Sequence, residues 1–355
     1  MSKRAKLAVG QRFLAAFRDA GAAEVAPDIL LPAETLLDLY GEDIRARAYV
    51  TADPIRGEMM LRPDFTVPVV QMHMQGGAEP ARYCYLGEVF RKQDHGETRP
   101  EHPRDREYLQ AGFEAFDHDA TRADAEVFAL FHRLLAGLNL RAVTGDMGLL
   151  RDAIDGLPMS AVRRAALKHH IWRPARFDRL LARFSAPGAP RDFPPTDAPW
   201  IGARDLDEMA GRLERLAKDA GEDALPPDWV VRLSRLFTIR GTLPEALAQL
   251  RALAGDMPAI TGAVNRLAAR IDAIAAHGID PQGIAFDASH GRHEMEYYDG
   301  FTFSYRTEDP ALPPVASGGR YDALTAVLGA ANPRPIPAVG GIIRPGLVAE
   351  LEGIC

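Results

Sequence analysis

The sequence predicts a mixed α/β (α+β) protein whose core of strands and helices is interrupted by a helical insertion. Three observations predict this. Residues 82–91 and 108–116 are rich in aromatic and β-branched side chains, the composition of strands. From about Ser160 to His277 the chain turns to Ala, Arg and Leu at helical spacing. Strand composition then returns at Gly283–Asp287 and Tyr297–Tyr305. The economical arrangement is a core of residues 1–158 and 279–355 around a mainly helical insertion at 159–278.

Taken in order, Leu7, Gly10, Leu14 and Phe17 recur at helical spacing before Gly21, so the chain opens with a helix. Pro27 and Pro32 bracket an extended stretch. Tyr49–Thr51 and Met59–Arg62 form short strands around the polar turn Asp53–Gly57. A helix spans Thr66–Met74, with Pro68 tolerated in its first turn. The strands at 82–91 and 108–116 pair antiparallel, joined by a charged loop too long for a simple hairpin. Val127, Leu130, Phe131 and Leu134 share one face of the next helix. Arg141–Thr144 is a strand, and a further helix starts at Met147. Within the insertion, Leu206, Met209, Leu213 and Leu216 make one apolar stripe; Val264, Leu267, Ile271 and Ile274 make another. Ala186–Pro199 and Leu225–Pro227 are loops.

Composition narrows the function classes. The chain has 355 residues, 47% of them hydrophobic and 26% charged, which suits a globular protein of roughly two domains. No apolar run reaches the ~18 residues of a membrane span. The basic start, Met1–Lys6, leads into an amphipathic pattern and not a signal core, so a cytoplasmic protein is expected. Cys84 and Cys355, the only two cysteines, support neither a disulfide framework nor a cysteine-based metal site. A net charge of −7 sets the overall field against polyanions such as nucleic acid.

Several residues carry candidate chemistry. Asp64, just after a strand, either accepts from an ammonium or imidazole N–H or caps the following helix. Gln110 and Glu114 share one face of their strand, and Arg91 ends the strand before it. Such a face is either solvated or lines a pocket that holds a zwitterion, arginine to carboxylate and acids to ammonium. Lys92, His95, Arg99, His102, Arg104 and Arg106 make the long loop basic, but Asp94, Glu97, Glu101, Asp105 and Glu107 nearly neutralise it; a solvated loop is expected. His290, His293 and Glu294 match no strong zinc spacing and are expected at the surface. Gly318 and Gly319 permit close approach of a ligand or a tight turn. His169 and His170 are expected to be structural.

The order of these segments along the chain carries a resemblance. Leu61-Arg62-Pro63-Asp64-Phe65-Thr66 resembles the Leu-Arg-Pro-Glu-x-Thr segment of histidyl-tRNA synthetases. Phe90-Arg91-Lys92-Gln93, the long loop, then Arg106-Glu107-Tyr108-Leu109-Gln110 and Glu114 resemble class II synthetase motif 2 in its histidyl form. Glu296-Tyr297-Tyr298-Asp299-Gly300 is similar to the second half of the histidine signature Arg-Gly-Leu-Asp-Tyr-Tyr-Thr-Gly. Gly318-Gly319-Arg320-Tyr321-Asp322, with Leu324, is similar to the segment that follows it. Gly340-Gly341-Ile342-Ile343-Arg344 resembles a degraded motif 3. The departures are informative too. Only 11 residues follow Arg344, too few for an anticodon-binding domain. His293 stands where the signature has arginine, with Arg292 as a substitute if the alignment slips by one, and Gln93 stands where motif 2 has an acid.

This combination resembles the family of ATP phosphoribosyltransferase regulatory subunits. The resemblance implies a class II aminoacyl-tRNA synthetase-like antiparallel sheet flanked by helices, no catalytic residues of its own, and no cofactor or metal. It also implies self-association as a dimer, a hetero-octamer with the short-form catalytic subunit, histidine as feedback effector, and no tRNA or membrane partner. Carried over by motif, Asp64, Thr66, Arg91, Gln110, Glu114, Tyr297 and Tyr298 would line a histidine pocket. Arg91 would meet the carboxylate, Asp64 and Gln110 the ammonium, Glu114 and Tyr298 the imidazole. The alternatives are a stand-alone ligase that adenylates an amino acid, an assembly partner that binds no small molecule, and an effector site at a subunit interface.

Overall fold

A computed structural model describes residues 2–40, 48–92, 106–188, 205–293, 296–329 and 336–354. Helix α1 (Lys3–Asp19) is capped by Ser2, whose hydroxyl accepts from Ala5 N, and it buries Val9, Phe13, Leu14 and Phe17. Next come β1 (Ala23–Glu24), β2 (Leu30–Pro32), α2 (Ala33–Tyr40), β3 (Val50–Asp53), β4 (Gly57–Leu61) and α3 (Thr66–Met74). The long strands β5 (Ala81–Phe90) and β6 (Glu107–Phe116) lead to α4 (Ala120–Leu134), β7 (Arg141–Asp146) and α5 (Met147–Asp155). The helical stretch holds α6 (Ala161–His169), α7 (Pro174–Phe184), α8 (Leu206–Ala220) and α9 (Pro227–Thr238). It continues with β8 (Arg240–Thr242), α10 (Leu243–Asp256) and α11 (Thr261–Ala276). The chain then supplies β9 (Ala285–Asp287), β10 (Phe301–Arg306), β11 (Ala316–Arg320), α12 (Asp322–Leu328), β12 (Ala338–Ile343) and α13 (Pro345–Leu351).

Nine strands form one sheet in the order β1-β5-β6-β12-β11-β10-β7-β9-β8, and β2-β4-β3 form a small antiparallel sheet. The large sheet is antiparallel from β5 to β7, while β1 pairs β5 and β9 pairs β7 in parallel. One face packs Phe113, Phe303 and Val339 against Phe17 of α1 and Phe128 and Phe131 of α4 in a single apolar core. That core runs on into Leu233, Leu250, Leu267 and Ile274 of the helical stretch. A second cluster forms against the small sheet and α3, around Met60, Phe65, Val70, Tyr85, Tyr298 and Tyr321.

One expectation needs correction. The strand expected over Tyr297–Tyr305 begins at Phe301, because Asp299 turns away to accept from the backbone N–H groups of Asp322 and Ala323 at the start of α12. The Leu206 stripe lies on α8 as expected, with Met209, Leu213 and Leu216 half-buried and Leu206 at its exposed end. The stripe at Val264, Leu267, Ile271 and Ile274 is buried. Strand β8, inside the helical stretch, pairs with β9 and so forms the edge of the main sheet.

A buried ion-pair cluster joins α11 to the core. Arg270 donates to Asp124 and to Asp146, each at 2.8 Å, and Arg320 donates to the other oxygen of Asp124 at 2.7 Å. All four charged groups are buried, so each depends on its partners for the solvation it has lost.

Candidate functional site

Polar residues on strands usually face water, yet Gln110 and Glu114 are buried at 2% and 1% exposure. The solvated-face alternative therefore fails for both. They project from β6 into the face that carries the second cluster. A row of paired residues crosses the sheet there: Tyr83, Glu114, Gly340, Gly319 and Thr302. The glycines make the room. A Cβ on Gly340 would stand 1.6 Å from Glu114 Oε2, and one on Gly319 would stand 2.8 Å from the Tyr298 ring. Gly318 and Gly319 thus lie within a strand, at neither a turn nor a phosphate loop.

The Glu114 carboxylate is the centre of a hydroxyl cluster. Thr66 donates to Oε1 at 3.0 Å, Tyr85 to the same oxygen at 2.9 Å, and Tyr321 to Oε2. Tyr297 donates in turn to Thr66 Oγ1 at 3.3 Å. Burial pushes the Glu114 pKa up to about 7, against the pull of its three hydroxyl donors. Tyr85 and Tyr321 are themselves held well above the ordinary tyrosine range by burial and by the neighbouring carboxylate. Tyr85 is fixed from behind: Phe65 stacks on it at 4.2 Å, and the Arg62 guanidinium covers Phe65 at 3.9 Å.

The other candidates lie along the same strand pair. Asp64 is buried and accepts from Val67 N at 3.3 Å, so it caps α3 while facing the Glu114 field. Arg91 donates from Nε to Pro63 O at 2.8 Å, with its guanidinium 6.0 Å from the Tyr108 ring. Arg344 approaches the same ring at 5.6 Å. Burial raises the Tyr108 pKa, but the two arginines outweigh it and leave the phenol below its ordinary value. Gln110 donates to Tyr108 OH at 3.4 Å, and its Oε1 is buried with no partner among the described residues. An orphaned amide oxygen here is an acceptor waiting for an N–H. Tyr297 and Tyr298 meet edge to face at 5.0 Å.

The structure therefore brings Thr66, Glu114, Tyr297 and Tyr298 together directly, and sets Arg91 and Gln110 around Tyr108, with Asp64 between. Sequence reasoning missed Tyr85, Tyr108 and Tyr321 as wall residues. Tyr85 had one signal: its register partner is Gly112, where a Cβ would stand 2.2 Å from the tyrosine ring.

The segment after β9 departs from expectation. His290 is buried, its Nδ1 3.0 Å from Thr302 Oγ1 and its Nε2 2.7 Å from Ser304 Oγ, so it is an interior residue and not a surface one. Arg292 is also buried. It donates to Ile171 O at 3.0 Å and lies against the rings of Phe177 and Phe237, in the helical stretch. Arg292 thus does not take the place of the signature arginine beside Glu114. Gln93, most of the basic loop and Glu294 lie outside the described residues, as does the His293 side chain.

Comparison with known proteins bears on the fold and the family. The histidyl-tRNA synthetase family profile matches residues 2–189 and 206–344. A protein of Mesorhizobium japonicum called ATP phosphoribosyltransferase regulatory subunit is 33% identical over 92% of each chain. One of the same description from Sinorhizobium medicae is likewise 33% identical over 92% of each. Among solved structures, an ATP phosphoribosyltransferase regulatory subunit/histidyl-tRNA synthetase from Bacillus halodurans superposes with a TM-score of 0.71 at 20% identity. It covers 98% of this chain and 79% of its own. Histidyl-tRNA synthetase from Nostoc gives a TM-score of 0.66 at 17% identity, over 99% of this chain and 72% of its own.

Proposed function

Because the chain belongs to the family of ATP phosphoribosyltransferase regulatory subunits, built on a histidyl-tRNA synthetase-like fold, we propose that it senses histidine for a separate catalytic chain. It raises turnover by the short-form phosphoribosyltransferase, and histidine bound to it suppresses that turnover. The two chains assemble as a hetero-octamer containing paired regulatory chains; it binds no tRNA and does no chemistry of its own.

The observation that carries the reading is the pairing of Glu114 with the orphaned Gln110 Oε1 in one buried, polar-lined face. A free amino acid with an imidazole side chain supplies N–H groups for both. Glu114 Oε2, with one protein donor, takes an imidazole N–H beside Tyr298. Gln110 Oε1 and Asp64 take the ammonium, and Arg91 takes the carboxylate by a charge-assisted hydrogen bond. Feedback is then a coupling free energy between this pocket and the catalytic chain, typically ~1–3 kcal/mol. The burial of Arg292 in the helical stretch favours a sensor over a ligase, since the arginine that could stand in for the signature's activating cation is engaged elsewhere.

The test is phosphoribosyl-ATP synthesis by the cognate catalytic chain, with and without this protein, titrated with histidine. Stimulation that histidine reverses, and that Glu114→Ala renders insensitive to histidine, is expected. Stimulation with an unchanged histidine response in Glu114→Ala would move the effector site to a subunit interface. ATP–pyrophosphate exchange with histidine would instead identify a ligase.

A further inference from the structure

Glu114 is a buried carboxylate whose hydrogen-bond donors are all neutral. Thr66, Tyr85 and Tyr321 supply hydroxyls, and among the described residues no arginine, lysine or histidine stands at ion-pair distance from it. Asp64, just before α3, adds a second negative charge to the field, and α3 itself brings Thr66. His73, further along α3, meets Tyr83 and stacks on Phe116. Tyr85 comes from β5, Tyr321 from the end of β11, and Tyr297 reaches Thr66 from the turn before β10. Tyr298, in the same turn, acts on both Tyr85 and Tyr321, and β12 passes with Gly340 as the register partner of Glu114. Arg62 donates to the carbonyls of Pro27 and Glu88, and Arg320 is held by Asp124 and Asp322.

A carboxylate buried among neutral donors and beside a second acid resists ionisation. Burial, with a smaller contribution from Asp64, accordingly raises Glu114 to about 7. Tyr85 and Tyr321 are held well above the ordinary tyrosine range, so both keep their protons and donate them to the carboxyl. The acceptor position left over is on Oε2, which has one hydroxyl donor against two on Oε1. An N–H that arrives there with a positive charge supplies what the cluster lacks.

Resting on the histidine reading above, we propose that Glu114 and the imidazole of the bound amino acid hold one proton between them, so that binding from alkaline solution takes up a proton. The proton comes from solvent and forms one N–H bond on the ring or one O–H bond on Glu114; no other bond changes. A carboxylate facing an imidazolium and a carboxylic acid facing an imidazole are the same atoms with the same net charge, and they titrate as a pair. The sign of the exchange follows from the two free groups. An ordinary imidazole has a pKa of ~6.5, and Glu114 lies at about 7. Above both values pocket and ligand bring no proton, and one is taken up. Below both each brings its own, and one is released. Affinity is greatest between the two values and falls about tenfold per pH unit further out on either side.

Calorimetry of histidine into the full chain, repeated in buffers of different ionisation enthalpy, counts the protons exchanged. Uptake approaching about one proton per histidine is expected near pH ~8, and release approaching about one near pH ~5.5. Glu114→Gln keeps the side-chain volume and an acceptor oxygen but cannot take a proton. It should bind histidine more weakly, show no uptake near pH ~8, and lose the decline of affinity above pH ~7. Thermal unfolding shows whether that variant is folded; if it is not, the proton count of the parent chain decides alone. Histidine binding without uptake near pH ~8, or uptake that persists in folded Glu114→Gln, would overturn this inference and leave the histidine reading standing. No histidine binding in any buffer would overturn both.

Discussion

Tyr321 donates its hydroxyl to Glu114 Oε2 although 207 residues separate the two in the chain. The contact joins the end of β11 to the C-terminal part of β6 and encloses the buried carboxylate. Tyr321→Phe removes one donor from a buried carboxylate while keeping the ring. We expect it to cost about 1–3 kcal/mol in urea unfolding and to weaken histidine binding in calorimetry. A variant as stable as the parent would show that the hydroxyl contributes nothing net.

Stability should depend on pH through the same carboxyl. Burial lifts the Glu114 pKa from an ordinary 4.5 to about 7, so between these values the native state holds more protons than the unfolded state. Stability conferred by protonated Glu114 is therefore complete below pH ~4.5 and lost as pH rises through ~7, roughly 3 kcal/mol in all. Asp299, raised to about 6 by burial and by Asp322, acts in the same direction over a lower window. Urea midpoints at pH 5 and 7.5 should differ less in Glu114→Gln than in the parent. Coincident differences would assign the titration elsewhere.

Gly340→Ala places a methyl where Glu114 Oε2 now lies, and neither β12 nor the carboxylate can give way cheaply. Loss of histidine binding and a lower melting temperature are expected. Gly255→Ala is the matched control: it lies in α10 with nothing within 4 Å of the added carbon. There the alanine should stabilise by about 0.5–1 kcal/mol through helix propensity and leave binding intact.

Arg270 is held by Asp124 and Asp146, and Asp124 keeps Arg320 if Arg270 is lost. Arg270→Met therefore strands mainly Asp146, and we expect a loss of about 3–5 kcal/mol. Adding Asp146→Asn removes the stranded charge while keeping an oxygen that can cap α5, as Asp146 does for Gly148 N. The double variant should recover part of the loss in chemical unfolding; a strictly additive second loss would contradict this account.

The elements with clean periodicity were legible in the sequence. Thr66–Met74 and the β5–β6 pair lie where their composition put them, and the order of the motifs pointed to the synthetase-like sheet. What local pattern could not express was burial. Gln110 and Glu114 have the spacing of any half-exposed strand, and it takes partners from distant parts of the chain, such as Tyr85, Tyr321 and Thr66 around Glu114, to make such a face interior. Tyr297 and Tyr298 have strand composition, yet the capping demand of α12 on Asp299 bends their segment out of the sheet. The inward turn of Arg292 depends on Phe177 and Phe237, more than 50 residues away, and leaves no trace in its neighbours' sequence.

The floor of the proposed histidine pocket, at Gly340 and Gly319, is bare backbone, and any side chain added there collides with Glu114 or Tyr298. A floor of that kind offers mutation nothing to vary. A change of ligand preference must be written in the walls, and these come from separate elements: Thr66 from α3, Tyr85 from β5, Tyr298 from the turn before β10, and Tyr321 from the end of β11. The scaffold thus divides what is inherited as geometry from what is open to revision as chemistry.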